Sequence, residues 1–153
     1  MILAGVRIIP RMHGLHLTAD LHGCPAQLPV MSDVAALRQL CLAAVHAAQL
    51  QAVGELFHRF AAWPGQVTPP GITGMVLLAE SHLAVHTWPE WGAVTLDVYI
   101  CNLTQDHSAQ AHALLAQLCD AFAPTRCEQR QLVRGSPAHP GEPAAPRPEP
   151  GQR

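Results

Sequence analysis

Charged side chains are scarce in this sequence. They make up 13% of the 153 residues and leave a net charge of −2, whereas the usual charged share is about a quarter. No block of clustered lysine and arginine is present, and phosphate binding needs such a block. We therefore do not expect nucleic acid as a partner. So little charge also favours association, and we expect a homo-oligomer, in the simplest case a dimer.

Long hydrophobic runs and an export signal are also missing. No run approaches the ~20 apolar residues that span a bilayer. The apolar start of the chain is too short for a signal peptide, and Arg7 and Arg11 follow its apolar residues instead of preceding them. We therefore expect a cytoplasmic protein without a membrane as partner.

Sequence patterns for metal sites and disulfide frameworks are absent as well. The cysteines are odd in number and form no CxxC pair, and the ten histidines form no HExxH pattern. We therefore predict no metal centre and expect most cysteines to be small buried hydrophobic residues. The five cysteines are Cys24, Cys41, Cys101, Cys119 and Cys127.

Apolar residues make up 49% of the sequence, which is enough for one domain with one core. Period-two alternation predicts strands, and apolar residues at helical spacing predict two helices. Ser32 or Asp33 can cap the first helix, which runs to about Gln49, and Asp106 or Ser108 can cap the second, which runs to Phe122. The predicted strands are residues 14–21, 53–60, 72–80, 83–87, 93–100 and 126–134, and residues 61–71, rich in proline and glycine, form a loop.

This order of elements predicts an α+β fold, in which two helices pack on one face of a mainly antiparallel sheet. The other face also carries apolar residues, and dimerisation through that face or near it is the simplest way to cover it. We predict a single domain over residues 1–135. Residues 136–153 contain six prolines and no large apolar residue, so we expect a disordered tail.

The segment AESHLAVHTWPE, residues 79–90, places a serine, two histidines and two glutamates in an apolar, strand-like region. Polar groups in such surroundings cost free energy unless they are paired, so this segment is a candidate functional site. A serine-hydrolase triad is not supported, because no GxSxG motif is present. Two interpretations fit the residues themselves. One is a solvent-facing polar cluster at a strand end, and the other is self-processing, in which the serine attacks the carbonyl of the preceding residue.

Residues 72–90, ITGMVLLAESHLAVHTWPE, closely resemble the processing segment of the prokaryotic S-adenosylmethionine decarboxylase family. The similarity continues through LDVYIC at residues 96–101, and it is weaker in GLHL at residues 14–17 and FHRF at residues 57–60. At the level of element order the resemblance covers roughly residues 14–134. It implies the sandwich fold of that family.

The resemblance implies a proenzyme that cuts itself between Glu80 and Ser81 into a β and an α chain. Ser81 would attack the Glu80 carbonyl to form an ester, which then eliminates. The dehydroalanine that remains hydrolyses to a pyruvoyl group on the new α chain. This ketone is the implied cofactor, and it forms a Schiff base with the substrate amine and serves as an electron sink. No metal or external cofactor is implied.

The resemblance also implies roles for three other residues. His86 matches the histidine that assists the elimination, and Thr73 stands where the family usually has a processing serine. Cys101 matches the cysteine that protonates the substrate carbon after decarboxylation. Considered without the resemblance, His86 would be a satisfied core histidine and Cys101 one more buried cysteine.

Substrate-binding residues follow from the same resemblance. Glu90 matches the carboxylate that binds the ribose hydroxyls, although a turn residue after Pro89 is an equally good interpretation. Trp88 lines the pocket or simply packs. Phe60 matches the aromatic residue that stacks on adenine, but the long 61–71 loop either repositions it or brings Trp63 into its role.

The implied reaction is the decarboxylation of S-adenosylmethionine, whose product is the aminopropyl donor for spermidine. Leu15, Asn102 and the pair Ala93 and Val94 differ from the residue types common in the family, which is what a change of substrate would look like. The alternative is therefore the same chemistry on ornithine or arginine. A third alternative, a non-catalytic and unprocessed partner protein, is disfavoured because the processing residues are present.

Overall fold

The structure is a computed structural model that describes residues 13–102 and 105–135. The strands of this part of the chain form one antiparallel sheet with the order β2-β3-β4-β5-β1-β6. Its elements are β1 (His13–His22), α1 (Val34–Ala47), β2 (Ala52–Arg59), β3 (Ile72–Leu78), β4 (Ser81–Trp88), β5 (Ala93–Asn102), α2 (Ser108–Ala121) and β6 (Arg126–Arg134), with short 3-10 helices at Pro29–Met31 and Pro89–Trp91.

Both helices pack on one face of the sheet, α1 over β2 and β3, and α2 over β1 and β5. Alternate residues of the inner strands are buried on this face, because successive side chains of a strand point to opposite sides. Burial of these side chains is the main source of stability. The predicted α+β fold is therefore confirmed. The buried strand residues include Leu17, Ala19, Leu21, Val76, Leu83, Val85, Val94, Leu96 and Val98.

The hairpin between β3 and β4 is tighter than the sequence predicts. The predicted strand 72–80 is wrong at its end, because β3 stops at Leu78, and β4 starts at Ser81 instead of residue 83. Leu78 pairs with Ser81, which leaves Ala79 and Glu80 as a two-residue turn. Ser81 is consequently the first residue of β4, directly after the turn.

The two helices begin differently. Asp33 caps α1 as predicted, because its carboxylate accepts hydrogen bonds from two backbone N–H groups of the first turn. The prediction that Asp106 or Ser108 caps α2 is wrong, since His107 occupies that position without a capping side chain. Two side chains that precede α2 bind the backbone at its start. The Asp106 carboxylate accepts from the Ser108 N–H at 2.9 Å, and the Asn102 side-chain oxygen accepts from the His107 N–H at 2.9 Å.

The second face of the sheet, here called the open face, carries no helix of the described residues. Its centre is polar, and His16 Nε2 lies 2.8 Å from Asp97 Oδ1. Towards β2 it becomes apolar, where Leu56, Met75 and Leu77 are 74%, 43% and 47% exposed. A single chain therefore leaves apolar sheet surface uncovered.

All five cysteines are free thiols. Cys24, Cys41 and Cys119 are buried, as predicted for most of them, whereas Cys101 is half-buried and Cys127 is exposed. Burial raises the pKa of Cys41 and of Cys119 to about 12. Both of these side chains therefore remain protonated and pack as small apolar groups.

Among the described residues, no helix combines the length and the apolar character needed to cross a membrane. The predicted disordered tail, residues 136–153, lies outside the described residues, as do residues 1–12. The domain boundaries at residues 1 and 135 stay a prediction.

Candidate active site

The first group of site residues lies at the tip of the β3–β4 hairpin. The Ser81 hydroxyl donates a hydrogen bond to the carbonyl oxygen of Glu80. Its Oγ accepts a hydrogen bond of 2.8 Å from the backbone N–H of Cys101. The sheet register produces this contact, because Ser81 pairs with Ile100 on β5. A serine oxygen held against the preceding carbonyl is placed to attack it.

Tyr99 adds a hydroxyl beside the Cys101 thiol. It lies two residues before Cys101 on β5, so both side chains point to the open face. Burial is the largest cause that raises the pKa of Tyr99, and the neighbouring Cys101 raises it further. Gly14 leaves space for the ring, because a Cβ there would lie 2.6 Å from the tyrosine hydroxyl oxygen. Sequence reasoning gives Tyr99 no role, although its place two positions before Cys101 is a usable signal.

The second group lies on the open face. Thr73 on β3 and His86 on β4 are cross-strand partners, and Thr73 Oγ1 lies 2.8 Å from His86 Nδ1. This contact fixes the imidazole ring and leaves Nε2, on its far side, to exchange a proton. A cavity of about 410 Å³ opens beside the pair, and Leu56, Met75 and Leu77 supply apolar parts of its lining.

The third group forms a cavity of about 380 Å³ between the loop after β2 and the short helix after β4, here called the aromatic pocket. Glu90 lines it, and Glu90 Oε2 is buried without a hydrogen-bond partner among the described residues. The indole rings of Trp88 and Trp91, which also line the pocket, stack with their centroids 6.3 Å apart. The aromatic lining residues are Phe60, Trp63, Trp88 and Trp91, which include all three tryptophans of the chain.

The loop of residues 61–71 closes on itself, because the Phe60 N–H donates to the Gly71 carbonyl at 2.9 Å. Phe60 therefore stays at the pocket despite the long loop, and Trp63 joins it there. Two other lining residues, Gln66 and Trp91, lie outside the sequence-based assignment. Loop positions carry no periodic signal, so only the structure reveals them.

The second and third groups adjoin each other, since the rings of His86 and Trp88 have centroids 6.0 Å apart, but the first group is well separated from both within one chain. On β4, Ser81 precedes His86 by five residues and Trp88 by seven, which are distances of about 17 Å and about 23 Å along an extended strand. One chain therefore brings Ser81 to Cys101 and His86 to Thr73, but it does not bring Ser81 to His86 or to the aromatic pocket. In the part of the chain that the structure describes, no three His, Cys, Asp or Glu side chains are grouped to bind a metal ion.

A sequence model of the family described as S-adenosylmethionine decarboxylase matches residues 15–135. The chain belongs to the S-adenosylmethionine decarboxylase family. It is similar to the S-adenosylmethionine decarboxylase proenzyme of Thermoplasma acidophilum, with 35% identity over 122 residues, which are 80% of this chain and 83% of the relative. The proenzyme of Aquifex aeolicus is 35% identical over 122 residues, 80% of this chain and 81% of the relative.

A solved structure agrees with this membership. The crystal structure of the adenosylmethionine decarboxylase from Aquifex aeolicus matches with a TM-score of 0.68 and 31% identity, over 88% of this chain and 99% of that one. The sequence motif predicted both membership of the S-adenosylmethionine decarboxylase family and the fold of that family, and both predictions are confirmed. The roles of individual site residues stay predictions.

Proposed function

We propose that this protein is a self-processing, pyruvoyl-dependent decarboxylase that converts S-adenosylmethionine into the aminopropyl donor for spermidine and other polyamines. The observation that carries the proposal is the position of Ser81, whose hydroxyl contacts the Glu80 carbonyl while its Oγ accepts from the Cys101 N–H. Family membership supports the reaction, and this contact ties the chemistry to residues of this chain.

Processing begins at the hairpin turn. Ser81 Oγ attacks the carbonyl carbon of Glu80, the C–N bond between the two residues breaks, and an ester and a free Ser81 amine form. Loss of the Ser81 Cα proton then breaks the ester C–O bond and releases Glu80 as a carboxylate. The dehydroalanine that is left takes up water and loses ammonia, which gives the pyruvoyl group.

The sheet tolerates this cut. Residue 80 belongs to the two-residue turn, so the broken bond is not part of a strand. After cleavage β3 remains paired with β2 and β4, and β4 remains paired with β5. The new chain start stays at the strand end beside Cys101, and the two fragments stay in one sheet.

A pyruvoyl group at residue 81 would supply a ketone that binds an amine covalently and withdraws electrons during decarboxylation. The surroundings of Ser81 fit such a group, because Ser81 is half-buried and the backbone N–H of Cys101 already donates a hydrogen bond to its Oγ. The Cys101 thiol returns a proton to the substrate carbon. The Tyr99 hydroxyl beside it positions the thiol.

We further infer that two copies of the chain build each active site. Ser81 needs a proton-transfer group within hydrogen-bond reach, yet His86 of the same chain lies about 17 Å away along β4. A two-fold axis on the open face, near the middle of β4 at Ala84, would place His86 and Thr73 of one copy at Ser81 of the other. The same operation brings the aromatic pocket of one copy towards Ser81 of the other.

The surface of the open face supports this homodimer. Its exposed apolar residues would be buried, and an isologous contact covers this face on both copies at once. The small Ala84 side chain at the proposed axis permits close approach. The cytoplasmic location stays a prediction.

Carbon dioxide release from carboxyl-labelled substrates tests the proposed reaction. We expect release from S-adenosylmethionine, with kcat/KM for ornithine and arginine lower by about 100-fold or more, because neither provides the nucleoside that the aromatic pocket would bind. The Ser81→Ala protein is the blank. Release from ornithine or arginine alone would contradict the assigned substrate.

A further inference from the structure

Gln66 is a second lining residue of the aromatic pocket with an unpaired polar atom. Its Nε2 is buried and has no hydrogen-bond partner among the described residues. The orientation of the amide is fixed by the loop, because Gln66 Oε1 accepts from the Trp63 N–H at 3.2 Å and the Gln66 N–H donates to the Trp63 carbonyl at 3.1 Å. With its oxygen turned to the Trp63 N–H, the amide has its two N–H donors left as the fully unpaired group.

The pocket therefore combines flat aromatic walls, one unpaired donor and one unpaired acceptor, Glu90 Oε2. Buried polar atoms of this kind cost free energy until a ligand pairs with them. A cation would suit the carboxylate and the indole faces but would leave the Gln66 donor unpaired. A flat heterocycle with ring-nitrogen acceptors satisfies the donor and stacks on the walls.

We propose that Gln66 determines specificity for the purine, with its Nε2 donating a hydrogen bond to a ring nitrogen of the adenine base. This inference rests on the proposed function, because the purine enters the pocket as part of S-adenosylmethionine. The unpaired oxygen of Glu90 lies in the same cavity and accepts from hydroxyls of the attached ribose. The 61–71 loop thus contributes both an aromatic wall, Trp63, and a hydrogen-bond donor to the edge of the base, Gln66.

The three tryptophans make the test direct, because a ligand that enters the pocket changes their fluorescence. The probes are 5′-deoxy-5′-methylthioadenosine and its 1-deaza, 3-deaza and 7-deaza analogues, each of which lacks one ring nitrogen. We expect the unaltered protein to bind one of these analogues about tenfold more weakly than the parent nucleoside. Gln66→Leu, which keeps the side-chain size and removes the donor, should bind the parent about tenfold more weakly and no longer distinguish it from that analogue.

Gln39→Leu is the matched control, because Gln39 is exposed on α1, and it should keep the full discrimination. Equal binding of the parent and all three deaza analogues by the unaltered protein overturns the inference without any variant. Discrimination that persists in Gln66→Leu overturns it as well.

The test separates this inference from the proposed reaction. A protein that releases carbon dioxide from S-adenosylmethionine but shows no nucleoside-dependent fluorescence change overturns the role of Gln66 and leaves the proposed function intact. Discrimination that depends on Gln66, in a protein without decarboxylase activity, supports the role of Gln66 and contradicts the proposed function.

Discussion

Replacing Ser81 with alanine is expected to leave the purified protein as one full-length chain, whereas the unaltered protein separates into residues 1–80 and 81–153. Alanine has no oxygen to attack the Glu80 carbonyl, so no ester forms and the peptide bond keeps its ordinary stability. Decarboxylation should disappear together with cleavage, because in the proposed mechanism the pyruvoyl group is made from Ser81. A denaturing gel and the intact mass measure the first effect, and carbon dioxide release measures the second.

Cys101→Ala is the matched control for that experiment. The contact between Cys101 and Ser81 Oγ uses the backbone N–H, which the substitution retains, so cleavage should proceed. Turnover should fall by about 100-fold or more, because the group that returns the proton to the substrate is lost. A Ser81→Ala protein that still separates between residues 80 and 81 would show that another nucleophile cuts the chain.

Processing of the His86→Ala chain is expected to be restored by co-expression with the Ser81→Ala chain. His86→Ala alone should process about 100-fold or more slowly, because the imidazole that transfers the proton is missing. Co-expression with Ser81→Ala should form mixed dimers in which, in the proposed arrangement, Ser81 of one copy meets His86 of the other. With equal amounts and random pairing, about half of the His86→Ala chains should be cut while every Ser81→Ala chain stays whole. Different tags on the two chains make the gel readable.

The control for this experiment is co-expression of His86→Ala with a chain that carries both substitutions. That partner cannot supply an imidazole, so the His86→Ala chain should stay almost uncut. If His86 acts on Ser81 of its own chain, neither mixture restores cleavage. Extensive cleavage of the His86→Ala chain in both mixtures would remove His86 from the processing step.

The sheet could be predicted because its strands have two distinct faces. Apolar Leu17 and Leu96 alternate with polar His16 and Asp97 along β1 and β5, and the structure buries the apolar set against the helices while the polar pair meets on the open face. The polar strand at residues 126–134 lies at one edge of the sheet as β6, where fewer of its side chains need to be buried. The alternation of polar and apolar residues along a strand therefore predicts which face of the sheet is buried.

The arrangement of the site residues could not be predicted from the alternation of polar and apolar residues. Ser81 and His86 belong to one short motif, but an extended strand places residues five positions apart at a distance of about 17 Å. Two residues that are close in the sequence therefore need not be in contact. The contact between Ser81 and Cys101 depends on the register of β4 against β5. Gln66 enters the aromatic pocket through the path of a loop, which alternation does not determine. The motif identified the chemistry, and the register and the loop determined which atoms meet.

The intact mass of the unaltered protein tests the central claim most directly. We expect two fragments, residues 1–80 with an ordinary carboxyl end and residues 81–153 with a pyruvoyl group. The second fragment should be lighter by one ammonia than a chain that starts with serine, and it should be blocked to sequencing from its N-terminus. A single full-length chain, or a second fragment that starts with a free Ser81 amine, would contradict the proposal that Ser81 becomes the cofactor.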